Sequence, residues 1–197
     1  MPAAEVAADL AEIAERLRQV TVQVWAGGRS LGGGVVWLRH GLVITNAHVA
    51  ALPRLEVVLP DGRALPGRLV ARDPRRDLAA VALAAGDVSA APRVDARGLR
   101  AGELLVALGH PLGVANAAAL GVVHRAANGR PGPAGWLQAA IRLAPGNSGG
   151  PIADARGRVA GINAMIVGGL GSAVPSHVVE QFVGESGVGK GGGARAA

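Results

Sequence analysis

The stretch Gly146-Asn-Ser-Gly-Gly-Pro151 holds the residue types from which a covalent reaction is easiest to read. A serine hydroxyl attacks a carbonyl carbon poorly unless a base accepts its proton and N–H donors hold the oxyanion that forms. Glycines on both sides of Ser148 let the backbone turn sharply, so the amides of Gly146 and Ser148 can face one small hole. The same residues also make an ordinary turn, so the base has to be sought elsewhere. His48 supplies one candidate. It follows the apolar run Leu42 to Ile44 inside Ile44-Thr-Asn-Ala-His-Val49, a strand-end position that presents an imidazole on a rigid support. Taken singly, a histidine there is more often structural. Asp77 stands directly before Leu78-Ala-Ala-Val-Ala-Leu83, which has the pattern of a buried strand. A carboxylate at the mouth of such a strand needs a partner to offset its desolvation, and both His48 and the neighbouring Arg75 and Arg76 could serve.

The elements that must position these residues are mostly strands. Glycine (31) and proline (12) make up about a fifth of the 197 residues, which disfavours a long helical bundle. Val6, Leu10, Ile13, Leu17 and Val20 recur at helical spacing, with acids leading and Arg16 and Arg18 following, so an amphipathic helix is expected over residues 1–19. From Val20-Thr-Val-Gln-Val24 the period becomes two, and turn residues then punctuate Val, Leu and Ile runs every 8 to 15 residues. About a dozen short antiparallel strands fit between residues 20 and 183, in an all-β sandwich or barrel. A seam in Ala90 to Ala101 divides them into halves of 20–95 and 96–183, and the glycine-rich end, 184–197, has little to bury and is expected to be disordered.

Composition excludes several classes. Half of the residues are apolar and 17% are charged, which suits a packed core. With no cysteine, there can be no disulfide, zinc thiolate, iron–sulfur ligation or thiol nucleophile. The net charge of +6 comes from scattered residues without a basic run, and four aromatic side chains (Trp25, Trp37, Trp136, Phe182) are too few for a base-stacking platform, so no nucleic-acid partner is expected. Glu5, Asp9, Glu12 and Glu15 occupy the start where a signal peptide would be basic and apolar, and no run approaches the roughly 18 apolar residues of a membrane helix. A soluble protein is the expectation, cytoplasmic as the sequence stands and exported if it is a trimmed form.

In chain order the candidates are His48, Asp77 and Ser148, 29 and 71 residues apart. The blocks Thr45-Asn-Ala-His-Val49, Asp77-Leu-Ala-Ala-Val-Ala-Leu83 and Pro145-Gly-Asn-Ser-Gly-Gly-Pro151 resemble the three catalytic blocks of trypsin-like serine proteases, most closely the bacterial HtrA or Do-like branch. Gly33-Gly-Val-Val36, Leu108-Gly-His-Pro-Leu-Gly113, Gly161-Ile-Asn-Ala164 and Ala173-Val-Pro175 agree with that branch, over about residues 20–183. The resemblance implies two six-stranded antiparallel β-barrels with the triad in the cleft between them. It implies His48 as general base, Asp77 as its orienting acid, Ser148 as nucleophile, and the amides of Gly146 and Ser148 as the oxyanion hole. It implies polypeptide substrates, neither metal nor cofactor, and a homotrimer built through N-terminal segments. Members of the branch commonly continue into PDZ domains, and this sequence reads as the protease domain without one. Ala140 and Ala144 stand where relatives usually have aspartate and asparagine, which bears on the loops around the specificity pocket. Arg142, six residues before Ser148, falls at the floor of that pocket. Turned inward it would select acidic side chains; turned outward, which the cost of burying an unpaired guanidinium favours, it leaves Leu143, Ala164, Met165, Ile166, Ser172 and Ala173 as walls suited to aliphatic residues. The loop Gly129 to Gly135 is a plausible mobile element of a latent form.

Two other readings compete. Gly146 to Gly150 also fits Gly-x-Ser-x-Gly, the nucleophile elbow of α/β-hydrolases, with Asp154 and His177 following, although only 49 residues remain after the serine and no βαβ alternation precedes it. An inactive protease-like scaffold that binds polypeptides is the second.

Overall fold

The structure is a computed structural model that describes residues 3–52, 54–111, 116–130 and 132–189. Residues 190–197 of the expected tail, 112 and 113 of the Leu108 to Gly113 block with 114 and 115 after it, and Pro131 of the expected mobile loop lie outside the described residues.

The chain opens with helix α1 (Ala3–Arg18), whose Glu5 in the first turn and Arg16 and Arg18 in the last complement the helix dipole. Its apolar stripe is used unevenly: Ile13 and Leu17 are buried, while Val6 near the start stays exposed. Six strands follow as β1 (Thr21–Ala26), β2 (Arg29–Leu38), β3 (Leu42–Thr45), β4 (Arg54–Val58), β5 (Ala64–Asp73) and β6 (Leu78–Leu83). They close into an antiparallel barrel in the order β1-β2-β3-β6-β5-β4. A linker with a single 3-10 turn at Ala96–Gly98 leads to β7 (Leu104–Gly109), β8 (Ala117–Arg125), β9 (Leu137–Ala140), β10 (Pro151–Asp154), β11 (Val159–Val167) and β12 (Leu170–Pro175). These close into a second antiparallel barrel in the order β10-β11-β12-β9-β8-β7. The two all-antiparallel barrels exclude the α/β-hydrolase arrangement, which needs a parallel sheet.

Period-two alternation explains how the barrels pack. In β6, Ala79, Val81 and Leu83 fill the first barrel, while Leu78 and Ala80 face outward into the seam. In β7, Leu105 and Ala107 fill the second barrel, while Val106 and Leu108 face the seam. Strands buried on both faces read as continuous apolar runs, which is why β6 carries no polar residue. The seam core also takes in Ile13 and Leu17 of α1 and the fully buried Trp37.

A second helix, α2 (Ser176–Glu185), stands where the sequence pattern places the end of the second half and the start of the tail. Val179, Phe182 and Val183 show the reason for it, since at helical spacing they enter the seam core. Its outer side pairs Glu180 with Arg93 of the linker (2.7 Å) and Glu185 with Arg76 of the first barrel (2.6 Å). Arg76 therefore spends its charge on Glu185 and on Asp73, and Asp77 is left to His48.

Candidate active site

His48 sits in the turn that leaves β3, and its backbone is held from several sides. Thr45 Oγ1 donates to the Gly33 carbonyl (2.7 Å), the fully buried Asn46 donates through Nδ2 to the Asp77 carbonyl (3.0 Å), and the Arg72 guanidinium donates twice to the Ala47 carbonyl (3.1 and 3.0 Å). The side chain itself is half exposed. Asp77, immediately before β6, adopts φ +53°, a left-handed conformation that costs a non-glycine residue on the order of 1 kcal/mol. It persists because both ends of the residue are tied. Its carboxylate accepts from the His48 backbone N–H (3.1 Å) and lies 2.9 and 3.0 Å from His48 Nδ1, while its carbonyl accepts from Asn46. A carboxylate cannot donate, so Nδ1 carries the proton and Nε2 is left as the basic nitrogen.

Ser148 lies on the loop between β9 and β10. Its carbonyl accepts from Gly33 N of the first barrel (2.7 Å), and the next amide, Gly149 N, donates to the Asn163 carbonyl on β11 (2.9 Å). Gly149 has φ +83°, and any Cβ there would collide with the Gly33 carbonyl, so this crossing of the seam requires glycine. A side chain at Gly32 would meet the Ser148 carbonyl at 2.6 Å and Val49 Cγ2 at 3.0 Å. The serine loop and the residue after His48 therefore converge on the same glycine. The hydroxyl is the exception to this convergence. Ser148 Oγ donates to the Ala164 carbonyl (3.1 Å), and among the described residues no hydrogen bond joins it to His48. A backbone carbonyl offers a hydroxyl a good acceptor.

The loop before Ser148 uses its peptide groups unevenly. The Gly146–Asn147 peptide is held at both ends, its carbonyl by His110 N (3.1 Å) and its N–H by the Ala144 carbonyl (3.0 Å). Neither Gly146 N nor Ser148 N donates to any described backbone group, so these two amides are the donors left over. Beside Ser148 lies a pocket of about 290 Å³ whose walls include Leu143, Pro145, Asn163, Ala164, Met165 and Ile166. Arg142 is exposed and takes no part in that wall. Ser172 and Ala173 do not line it either: Ser172, paired with Met165 across β11 and β12, is fully buried, and Ala173 packs inside the second barrel. A larger hollow of about 590 Å³ on the flank of the first barrel touches none of His48, Asp77 and Ser148.

Sequence reasoning missed the buried His110. Desolvation pushes its pKa below the usual histidine value, and the same cause, offset in part by Asp95, lowers His177. Both prefer the neutral form when folded, whereas the unfolded chain takes up protons near 6.5. Their contribution to stability is therefore complete above pH 6.5 and is lost as pH falls from there toward the lowered values. Thermal unfolding followed from about pH 7.5 to 5 is expected to show a falling midpoint, and substituting both histidines by asparagine flattens that fall.

Two closed six-stranded barrels, with a histidine–carboxylate pair on one and a glycine-framed serine crossing from the other, make up the architecture of the chymotrypsin-like class. The family model described as the trypsin-like peptidase domain matches residues 32–162, and the chain belongs to that family. Relatives lie in its HtrA branch. The chain is 34% identical to a probable periplasmic serine endoprotease, DegP-like, of Pseudomonas fulva, over 77% of this chain and 35% of that protein. It is also 34% identical to the mitochondrial serine protease HTRA2 of Drosophila virilis, over 78% of this chain and 39% of that one. It thus spans little more than a third of the length of these relatives. Among solved structures, the HtrA-type protease AlgW with a decapeptide superposes with a TM-score of 0.80 at 25% identity, covering 90% of this chain and 67% of that one. Among the described residues, no helix is long and apolar enough to cross a membrane, and no group of three or more His, Asp or Glu could hold a metal ion.

Proposed function

We propose that this domain is a serine endopeptidase that hydrolyses peptide bonds through an acyl-enzyme on Ser148 and acts on unfolded polypeptides with small or medium aliphatic residues at the cleavage site. The observation that carries this reading is the clamp of the Asp77 carboxylate on His48 Nδ1, which fixes the tautomer a general base needs. Substrate binding turns the Ser148 hydroxyl from Ala164 toward His48 Nε2, which takes its proton as Oγ attacks the carbonyl carbon. The oxyanion receives the N–H groups of Gly146 and Ser148, and Asp77 stabilises the imidazolium. His48 then gives its proton to the leaving amine, and water repeats the sequence on the ester. The apolar pocket beside Ser148 takes the side chain that precedes the cut.

Incubation with unfolded casein and with a fluorophosphonate probe tests the reading, because cleavage and labelling should both depend on Ser148. A chain that binds casein with neither would be a scaffold instead. Cleavage-site profiling on a denatured proteome should give aliphatic residues before the cut, and Arg142→Gln should leave that profile unchanged. A preference for glutamate or aspartate that disappears in Arg142→Gln would place the guanidinium in the pocket after all. Homotrimer formation through the exposed start of α1, a property carried over from the resemblance, is tested by light scattering on a chain lacking residues 1–12.

A further inference from the structure

Only two non-glycine residues among those described adopt positive φ, Asp77 and Asn116 (+59°). Strained residues persist where their surroundings over-determine them, and they gather at working sites. Asp77 belongs to the candidate pair. Asn116 belongs to a second cluster, across the seam from it, whose centre is His110.

We propose that His110 is the positioning residue of the oxyanion loop: its neutral imidazole, used as an acceptor, ties the end of β7 to β1 of the other barrel and so holds Gly146 in place. This rests on the reading above, with Ser148 as nucleophile and the Gly146 and Ser148 amides as the oxyanion donors.

The tautomer follows by elimination. Trp25 Nε1 can only donate, and it lies 2.9 Å from Gln23 Oε1. That contact turns the other end of the Gln23 amide, Nε2, toward His110 Nδ1 at 3.2 Å. Asn116 N, a backbone donor, reaches the same Nδ1 at 3.2 Å. Two donors converge on one ring nitrogen, so Nδ1 is unprotonated and the proton sits on Nε2. His110 is 2% exposed; among the described residues the Gln23 amide, the Asn116 amide and the Val22 backbone are the polar groups that face it, and Nε2 is buried without a hydrogen-bond partner.

The ring and the oxyanion loop are joined through the His110 main chain. His110 N donates to the Gly146 carbonyl, and the His110 carbonyl and Pro111 Cα lie so close to Gly146, itself at φ +102°, that any Cβ there would collide with them. Protonating Nδ1 would set a third donor against the Gln23 and Asn116 amides. Removing the acceptor would leave those two donors unpaired. Either change releases the end of β7 from the first barrel and, with it, the support under the Gly146–Asn147 peptide.

Two substitutions separate this role from simple packing. Asparagine places Oδ1 close to where Nδ1 stands and cannot be protonated at working pH, whereas leucine fills the volume without an acceptor. The experiment compares the full chain with His110→Asn, His110→Leu and Gln23→Met, using an internally quenched peptide and a peptide boronic acid with the same aliphatic residue. The boronate forms a tetrahedral adduct whose oxygen occupies the oxyanion hole. His110→Leu is expected to lower kcat/KM about 10²-fold, the cost of disabling one oxyanion donor, to weaken boronate binding in parallel, and to change KM little. Gln23→Met should follow in the same direction by about tenfold, and because it sits on the other barrel it keeps the test open if His110→Leu does not fold. His110→Asn should restore most of both quantities. Below pH 6.5, log kcat/KM should fall more steeply in the parent chain, where His110 takes up a proton, than in His110→Asn. Leucine matching asparagine, or a loss of rate with boronate affinity unchanged, would overturn the proposal while leaving the peptidase reading in place. A parent chain that neither cleaves the peptide nor takes the boronate overturns that reading and this inference with it.

Discussion

Ser148→Ala should lower kcat for peptide hydrolysis by about 10⁶-fold, the loss typical of removing the nucleophile of such a triad. The oxyanion amides and the pocket walls are unaffected, so KM should change little and some rate above that of water should remain. Stability should change little too. Ser148 joins the two barrels through its main chain, its carbonyl accepting from the Gly33 amide. Its hydroxyl contributes a single bond to Ala164, worth about 1 kcal/mol. Steady-state hydrolysis of a quenched peptide beside thermal unfolding measures both quantities. A well-folded variant that keeps more than a thousandth of the parent rate would mean that another group performs the attack.

Asp77→Asn is the second large effect, with an expected drop in kcat of about 10⁴-fold. The carboxylate accepts from two N–H groups of His48, one on the ring and one on the backbone. An amide in its place can present an NH₂ group to Nδ1, which then carries the lone pair and moves the proton to Nε2, where the base is needed. Asparagine tolerates the left-handed backbone at this position, so the fold should survive. Asp77→Ala differs in a way that can be measured. It leaves the His48 backbone N–H without its partner and places alanine at φ +53°, so it should cost a further 1 to 3 kcal/mol or so of stability relative to asparagine. Asp77→Asn with activity within tenfold of the parent would remove the carboxylate from the mechanism.

Several features were legible in the residues. Ser148 stands out because only a glycine-framed serine can cross a tight seam, and Gly149, pressed against Gly33, shows the steric need directly. Asp77 was legible because a carboxylate before an apolar run needs a partner. Helix α2 escaped notice because ten residues following a β pattern give too short a periodic signal; Val179, Phe182 and Val183 were the available clue. Ser172 and Ala173, neighbours on β12, are both buried, Ala173 inside the second barrel, so neither reaches the pocket that Met165 and Ile166 line from β11 beside them. His110 carried no signal of its own. Its role depends on Gln23, 87 residues away on the other barrel, and on the turn at Asn116.

Residue type and short-range backbone geometry set the β period, the two halves and the glycines that frame the serine, and they single out His48, Asp77 and Ser148 as candidates. Only the tertiary structure decided which donor meets which acceptor: Asp77 with His48 and not Arg76, the Ser148 hydroxyl with Ala164, and His110 with both Gln23 and Asn116. Alternation assigns a strand two faces. Which element each face meets is settled when the sheet closes into a barrel and the barrels press together, through contacts between residues far apart in the chain.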